Sequence, residues 1–173
     1  SIVGSVEIGA TVNDVAVCGN SAVVATTAGS GELQVIDVTT PASPSIVGVL
    51  DLAGAIDALS VACTGETAFV GRASSPQPEL SAISIAQPAA PAILSSLELG
   101  PNADAAKIVL AQSNQYLYVA SSANTSELFI VSASNPSALS LAASFDASGV
   151  SNGTAMAAFS TYAVLGRDDG NIL

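Results

Sequence analysis

The sequence predicts an all-β fold of the β-propeller type, with four-stranded blades that repeat about every 47 residues. The apolar segments are short. Within them, apolar residues either alternate with polar ones or form a continuous run, and neither pattern has the period of a helix. The best-marked strand recurs at spacings of 47 and 48 residues, beginning at Leu33, Leu80 and Leu128. A proline follows each copy at the same spacings, at Pro41, Pro88 and Pro136. Four antiparallel strands in roughly 40–50 residues is the size of one blade, whereas a β-sandwich with regular spacing is the alternative.

The repeat can be followed along the whole chain as one domain, 1–173. Residues 1–8, "SIVGSVEI", nearly copy "SIVGVLDL" at 45–52, so we expect the chain to begin with an outer strand. Each later repeat then holds an inner strand, a second strand, the well-marked third strand, a proline link and an outer strand. The predicted repeats span about 9–52, 53–99 and 100–147, with a partial repeat at 148–173.

The proline link has a mechanical explanation. Proline cannot donate to a sheet ladder, so the prolines are expected between the third and outer strands and not within them. The number of blades stays open. The pieces fit a closed four-bladed ring, in which the first strand completes the last blade. They also fit part of a larger propeller, which is favoured because stopping within a strand leaves an unpaired edge.

Composition excludes several classes of partner. The chain has 173 residues, a net charge of −11 and only three cationic side chains, Arg72, Lys107 and Arg167. Three cations cannot form the basic patch that nucleic acid or an anionic membrane surface needs. The apolar runs have strand length, so no membrane insertion is expected. The acidic surface favours solubility.

Cys18 and Cys63 are the only cysteines, and both lie near the ends of inner strands in neighbouring repeats. Histidine and C-x-x-C pairs are absent, which disfavours zinc. The two residues form either a disulfide between repeats or two small buried apolar side chains. Their registers differ by about one residue, which argues against good bridging geometry.

Three aspartates, Asp14, Asp57 and Asp104, begin the inner strands of successive repeats, and Asn152 lies near that place in the fourth. Inner strands line the channel of a propeller, so equivalent aspartates would form a carboxylate ring at one mouth. Such a ring would suit a hard cation such as calcium, and no other cofactor is expected. The alternative is that each aspartate binds backbone amides of its own turn.

The chain offers little for catalysis. Without histidine, a Ser-His-Asp or Cys-His arrangement is excluded. No glycine loop that cradles phosphate is followed by a helix. We therefore expect a protein that is not an enzyme, and a hydrolase or lyase using acidic channel residues and a metal is the weakest alternative.

Several segments resemble the LVIVD repeat family, with YVTN-type propeller repeats a close second. The likeness is greatest in "GNSAVVA" and "GELQVIDVTTPASPSIVGVLDLAG", at Gly19–Asn20, Leu33–Val38, Pro41, Pro44 and Gly48. "NQYLYVA" and "SASNP" extend it to the third repeat, and the second repeat departs most. The resemblance implies a β-propeller that is extracellular or surface-attached.

The expected function is a non-enzymatic, extracellular or cell-surface binding or adhesion module. Its partner would be a protein or a glycan, contacted by the loops that connect the strands. The alternative is a structural subunit or spacer of a surface layer or filament. In that case the chain would self-associate through an open blade edge.

Overall fold

The computed structural model describes residues 1–123, 125–159 and 162–173, and its regular structure there is entirely β. Blade 1 contains β1 (Val12–Cys18), β2 (Ser21–Thr26), β3 (Leu33–Asp37) and β4 (Ser45–Leu50). Blade 2 contains β5 (Ala58–Thr64), β6 (Thr67–Arg72), β7 (Leu80–Ser84) and β8 (Ala92–Leu97). Blade 3 contains β9 (Ala105–Leu110), β10 (Tyr116–Ala123), β11 (Ser126–Ser132) and β12 (Ser140–Phe145). Blade 4 contains β13 (Gly153–Phe159) and β14 (Tyr162–Arg167).

Each of the first three blades is an antiparallel sheet whose strands follow one another in chain order, and β13 and β14 form a two-stranded sheet. Inner and second strands meet at tight turns, where Gly19 and Gly65 adopt positive φ of 59° and 54°. The predicted all-β propeller is therefore confirmed. The predicted repeats also contain the strands of their blades.

The blades stack through two distinct faces, which we name by direction along the chain. The forward face of a blade packs on the next blade, and the backward face packs on the previous one. Between blades 1 and 2, the forward face presents Val23, Leu33 and Val35, and the backward face presents Val61, Val70 and Ile83. The corresponding cluster between blades 2 and 3 includes Phe69, Leu80, Ile108 and Val119. Successive side chains of a strand point to opposite faces of the sheet, and both sets are apolar here. Each blade is therefore apolar on both sides.

Residues 1–8 form no strand in the structure, so the predicted outer strand is wrong as secondary structure. The segment nevertheless lies where such a strand would be. Gly4 is pressed against the backbone of Pro41, just as Gly48 of β4 is pressed against Pro88 of the next blade. Val6 and Ile8 pack on the backward face of blade 1. Within the described residues, no strand pairs with this segment.

Blade 4 is the least complete part of the fold. It adds to its two strands only an isolated bridge between Gly166 and Ile172. Inner strands contact each other in the series β1–β5–β9–β13, and within the described residues no comparable contact joins β13 back to β1. The described blades therefore form an open arc.

Candidate functional site

The axis of the arc is crossed by an ion pair. Lys107 Nζ on β9 lies 2.7 Å from Asp14 Oδ2 on β1, so the contact passes over the whole of blade 2. The same carboxylate oxygen accepts a hydrogen bond from the Val61 amide at 3.0 Å. A contact between blades 1 and 3 requires the inner strands to curve tightly around a common axis. Asp14 therefore serves a junction of three blades, with its negative charge already compensated.

The predicted equivalence of the three aspartates is wrong. Strand pairing places Asp14 at the position held in later blades by Ser60, Lys107 and Ala155. Asp57 and Asp104 lie three residues earlier in their blades, at a position held by Thr11 in blade 1 and Asn152 in blade 4. The loop before β1 is two residues shorter than the corresponding loops before β5, β9 and β13. Counting along the sequence therefore aligned Asp14 with residues that are not its structural counterparts.

Asp57 and Asp104 also lack the convergence that a cation needs. Asp104 Oδ1 accepts a hydrogen bond from the Ser74 amide at 2.6 Å, and the Ser122 hydroxyl contacts the Asp104 amide. The Asp57 carbonyl accepts from the Ala73 amide. The Asp104 carboxylate thus joins the loop after β6 of blade 2 to the start of blade 3, whereas the Asp57 contact is made by its backbone carbonyl. Across the residues that the structure describes, no three carboxylate, cysteine or histidine side chains come together in a group suited to a metal ion.

Cys18 and Cys63 form a disulfide that joins β1 to β5, with Cα atoms 6.1 Å apart. The expectation that their one-residue register offset disfavours a bridge was wrong. Cys18 lies on the forward face of blade 1, and Cys63 lies on the backward face of blade 2. Successive residues of a strand point to opposite faces, so an odd offset is what allows two stacked blades to be linked.

The sequence analysis missed a set of buried glutamates that recur once per complete blade. Glu32 and Glu79 directly precede the third strand, Glu127 is the second residue of β11, and all three are fully buried. The carboxylate reaches the backbone amide twenty residues later, which belongs to Leu52, Leu99 or Ala147, at 2.7–3.0 Å. Each glutamate thus fixes the end of its outer strand. The sequence signal is their spacing of 47 and 48 residues.

Near two of these glutamates, an arginine of the following blade donates to the carbonyl of the residue after the one that the glutamate holds. Arg72 Nη2 donates to the Ala53 carbonyl at 2.8 Å, next to the Leu52 amide that Glu32 holds. Arg167 Nη2 donates to the Ser148 carbonyl at 3.2 Å, next to the residue held by Glu127. Burial lowers the pKa of Arg72, while the nearby carboxylates of Glu32, Glu79 and Asp51 oppose that shift.

The middle glutamate differs because the following blade offers no arginine at that place. Strand pairing aligns Ser121 of β10 with Arg72 and Arg167. Burial raises the pKa of Glu79, and the neighbouring Glu98 carboxylate raises it further against the Leu99 amide. The junction between blades 2 and 3 therefore buries an acidic group without the guanidinium present at the other two junctions.

Both end faces of the arc present exposed apolar side chains. Val15 is 56% exposed and Val17 is 69% exposed on the backward face of blade 1. On the forward face of blade 4, Val164 is 45% exposed and contributes to an apolar depression. That depression is lined by Ala155, Met156, Ala157, Val164, Gly166 and Ile172. Clustered exposed apolar side chains are a common feature of interaction sites.

Comparison with known families gives the decisive match. The LVIVD repeat model matches residues 9–51 and 105–147, which contain blade 1 and blade 3. Blades 1 and 3 of this chain are LVIVD repeats. The LVIVD segments coincide with two complete blades, and blade 2, whose sequence departs most, lies outside the match. No curated protein sequence matches the chain significantly.

Solved structures that resemble this LVIVD-repeat chain include a computationally designed protein and a natural β-propeller domain. The computationally designed Ika4 protein matches with a TM-score of 0.66 at 17% identity, covering 95% of this chain and 89% of Ika4. The Cps50 (Swd1) β-propeller domain of Myceliophteria thermophila gives 0.68 at 14% identity, over 95% of this chain and 54% of that one.

A periplasmic gluconolactonase of Pseudomonas aeruginosa, PpgL, gives a TM-score of 0.63 at 11% identity, covering 89% of this chain and 52% of that enzyme. The chain thus spans about half the length of the natural propellers that it matches. These likenesses show the fold alone. Within the described residues, no helix is long and apolar enough to cross a membrane.

Proposed function

We propose that this LVIVD-repeat chain is a non-enzymatic protein-binding module of the cell exterior, and that it binds through the end faces of its arc. The observation that carries the proposal is the exposure of Val15, which contrasts with the burial of the same position in later blades. Val61 and Ile108 are 4% and 2% exposed there, because a preceding blade covers them. The backward face of blade 1 is therefore built like a blade junction.

The character of these faces favours a protein over a glycan. They present branched aliphatic side chains at the spacing of a β-sheet, and a sheet of the same kind is their natural complement. Blade 4 packs its backward face on the forward face of blade 3. In the same way, blade 1 of another molecule could pack its backward face on the forward face of blade 4. The Cys18–Cys63 bridge supports an oxidising compartment outside the cytoplasm.

The partner that we propose for the end faces is a second copy of this chain, because a copy supplies both complementary surfaces. A head-to-tail contact uses a different surface on each copy, and such contacts generate rings or filaments. This favours the role of an assembly subunit in a surface layer or filament as the second candidate. Compensation of Asp14 by Lys107 leaves the axis less suited to ligand binding than the end faces.

Light scattering across a range of protein concentrations tests the proposal. We expect the mass to rise with concentration, and Val15→Asp or Val164→Asp to return the chain to a monomer. Val150→Asp is the matched control, because Val150 is an exposed valine in the loop between β12 and β13 and not in a strand. A wild-type chain that stays monomeric, or association that survives both face variants, would contradict the proposed interface.

A further inference from the structure

We infer that copies of this chain join as consecutive blades in one defined register. In that register Phe159 of one copy packs against Val17 of the next, and residues 1–8 of the next copy lie beside blade 4 of the first as its outer strand. The inference rests on the proposed association of the end faces and adds its geometry. The partner is a second copy of this chain, held by packing and strand pairing.

The register comes from the junction between blades 1 and 2. Cys18 on the forward face of blade 1 is bonded to Cys63 on the backward face of blade 2, with Cα atoms 6.1 Å apart. Phe159 holds in blade 4 the position of Cys18, at the end of the inner strand and opposite the first residue of the second strand. A blade that followed blade 4 in the same register would therefore bring its equivalent of Cys63 opposite Phe159.

The equivalent of Cys63 in blade 1 is Val17. Each of the two residues pairs with the second residue of the following strand. Val17 is two residues after Val15, so it points to the same backward face, where it is largely exposed. The position that the first internal junction closes with a disulfide is thus occupied at the two end faces by a valine and a phenylalanine. These side chains can be buried against each other without a covalent bond.

The hairpin of blade 4 differs in chemistry from those of blades 1 and 2. Phe159 and Tyr162 lie opposite each other on the forward face and are 79% and 72% exposed. The same positions carry smaller residues in blades 1 and 2, Cys18 with Ser21 and Thr64 with Thr67. Aromatic side chains gain much from burial and are enriched at protein interfaces. This hairpin therefore favours a further blade as the cover of the forward face.

The N-terminal segment supports the same arrangement at the outer side. Gly4 contacts the backbone of Pro41 in the way that β4 contacts the next blade, and Gln34 Nε2 donates to the Ile8 carbonyl at 3.1 Å. The segment is thus held on the backward face of blade 1, where the outer strand of a preceding blade would lie. Since no described strand pairs with it, its backbone can pair with the sheet of another copy.

The register of the complete blades predicts which residues would pair there. In blade 1, Leu33 pairs with Leu50. Ile172 holds the place of Leu33, because its bridge to Gly166 repeats the contact that Leu33 makes with β2. Val6 holds the place of Leu50, two residues after the glycine that contacts the proline link. Ile172 of one copy should therefore lie opposite Val6 of the next.

Light scattering of charge variants tests the contact between Phe159 and Val17. Val17→Lys and Phe159→Asp should each abolish association, because each places a charge in an apolar contact. The double variant carries opposite charges at the two ends and should associate again. High salt should reverse this recovery but not the association of the wild type. Val17→Lys combined with Val150→Asp is the matched control, which has the same charges and should stay monomeric.

A cysteine pair at the outer side gives a second readout that needs no buried charge. Cys18 and Cys63 are already bonded to each other, so only introduced thiols are free to react. Mixed and oxidised Val6→Cys and Ile172→Cys chains should form a cross-linked heterodimer on a non-reducing gel. Val6→Cys mixed with Val150→Cys should not.

The outcomes separate this register from the association on which it rests. The register is overturned if the wild type associates but the cross-link does not form, or if the double charge variant behaves like its single parents. In both cases the proposed association stands. A wild type that stays monomeric at every concentration contradicts the proposed function itself, and this inference with it.

Discussion

Val15 and Val61 hold the same position in successive inner strands, yet they have opposite environments. Val15 is 56% exposed and Val61 is 4% exposed, although both strands pair with a second strand in the same register. The difference comes from the neighbouring blade, which covers Val61 and leaves Val15 open. In this fold a residue is buried by the stacking of blades and not by its own sheet, so the ends of the arc are junctions without a partner.

The junction between blades 1 and 2 differs from the end faces most clearly in its disulfide. The bridge closes a loop with a sequence separation of 45 residues. In the chain-entropy model a loop of that size stabilises the fold by about 4 kcal/mol. Replacing both Cys18 and Cys63 by alanine should remove most of this, as measured by urea unfolding.

The wild type under reducing conditions is the matched control for the double cysteine variant. Its unfolding midpoint should fall to that of the variant, and the variant itself should not respond to reductant. Equal stability of the oxidised and reduced wild type would show that packing alone holds blades 1 and 2 together.

The two valines can be compared directly by truncation. Val61→Ala removes buried methyl groups from the junction and should cost about 2 kcal/mol. Val15→Ala removes methyl groups that already contact water and should change stability by less than about 0.5 kcal/mol. Urea unfolding of dilute monomer measures both. If association buries Val15, its truncation should become costly at high protein concentration, whereas the Val61→Ala penalty should stay constant.

The axial ion pair should contribute less to stability than the disulfide or the buried Val61. The side chain of Lys107 is 37% exposed and that of Asp14 is 16% exposed, so solvent screens the attraction. Lys107→Met should cost about 1 kcal/mol, and the cost should shrink at high salt. Asp14→Asn should cost somewhat more, because that carboxylate also holds the Val61 amide. A salt-independent penalty for Lys107→Met would indicate lost packing of its aliphatic stem.

The sequence predicted the blades well because their cause is local and repeated. Apolar alternation defines each strand, glycine defines the hairpin turns, and proline defines the link to the outer strand. Prediction failed where the repeat is irregular. The loop before β1 is two residues shorter than the later loops, so Asp14 was aligned with Asp57 and Asp104 although its structural counterpart is Lys107.

The buried glutamates show a different failure. Glu32, Glu79 and Glu127 recur with the period of the blades, so the signal was present in the sequence. A glutamate is normally an exposed residue, however, and its burial depends on an amide that arrives twenty residues later. Only the folded chain shows that an arginine of the next blade lies near two of the three glutamates.

By itself, the sequence determined the all-β class, the blade period, the order of strands within a blade and the absence of a basic surface. These follow from periodicity and composition, which act over a few residues. The tertiary structure decided which groups meet: Cys18 with Cys63, Asp14 with Lys107, and Glu79 with the Leu99 amide. Such contacts depend on the angle and offset between stacked blades, which are set by packing along the whole arc. A loop difference of two residues is enough to change them.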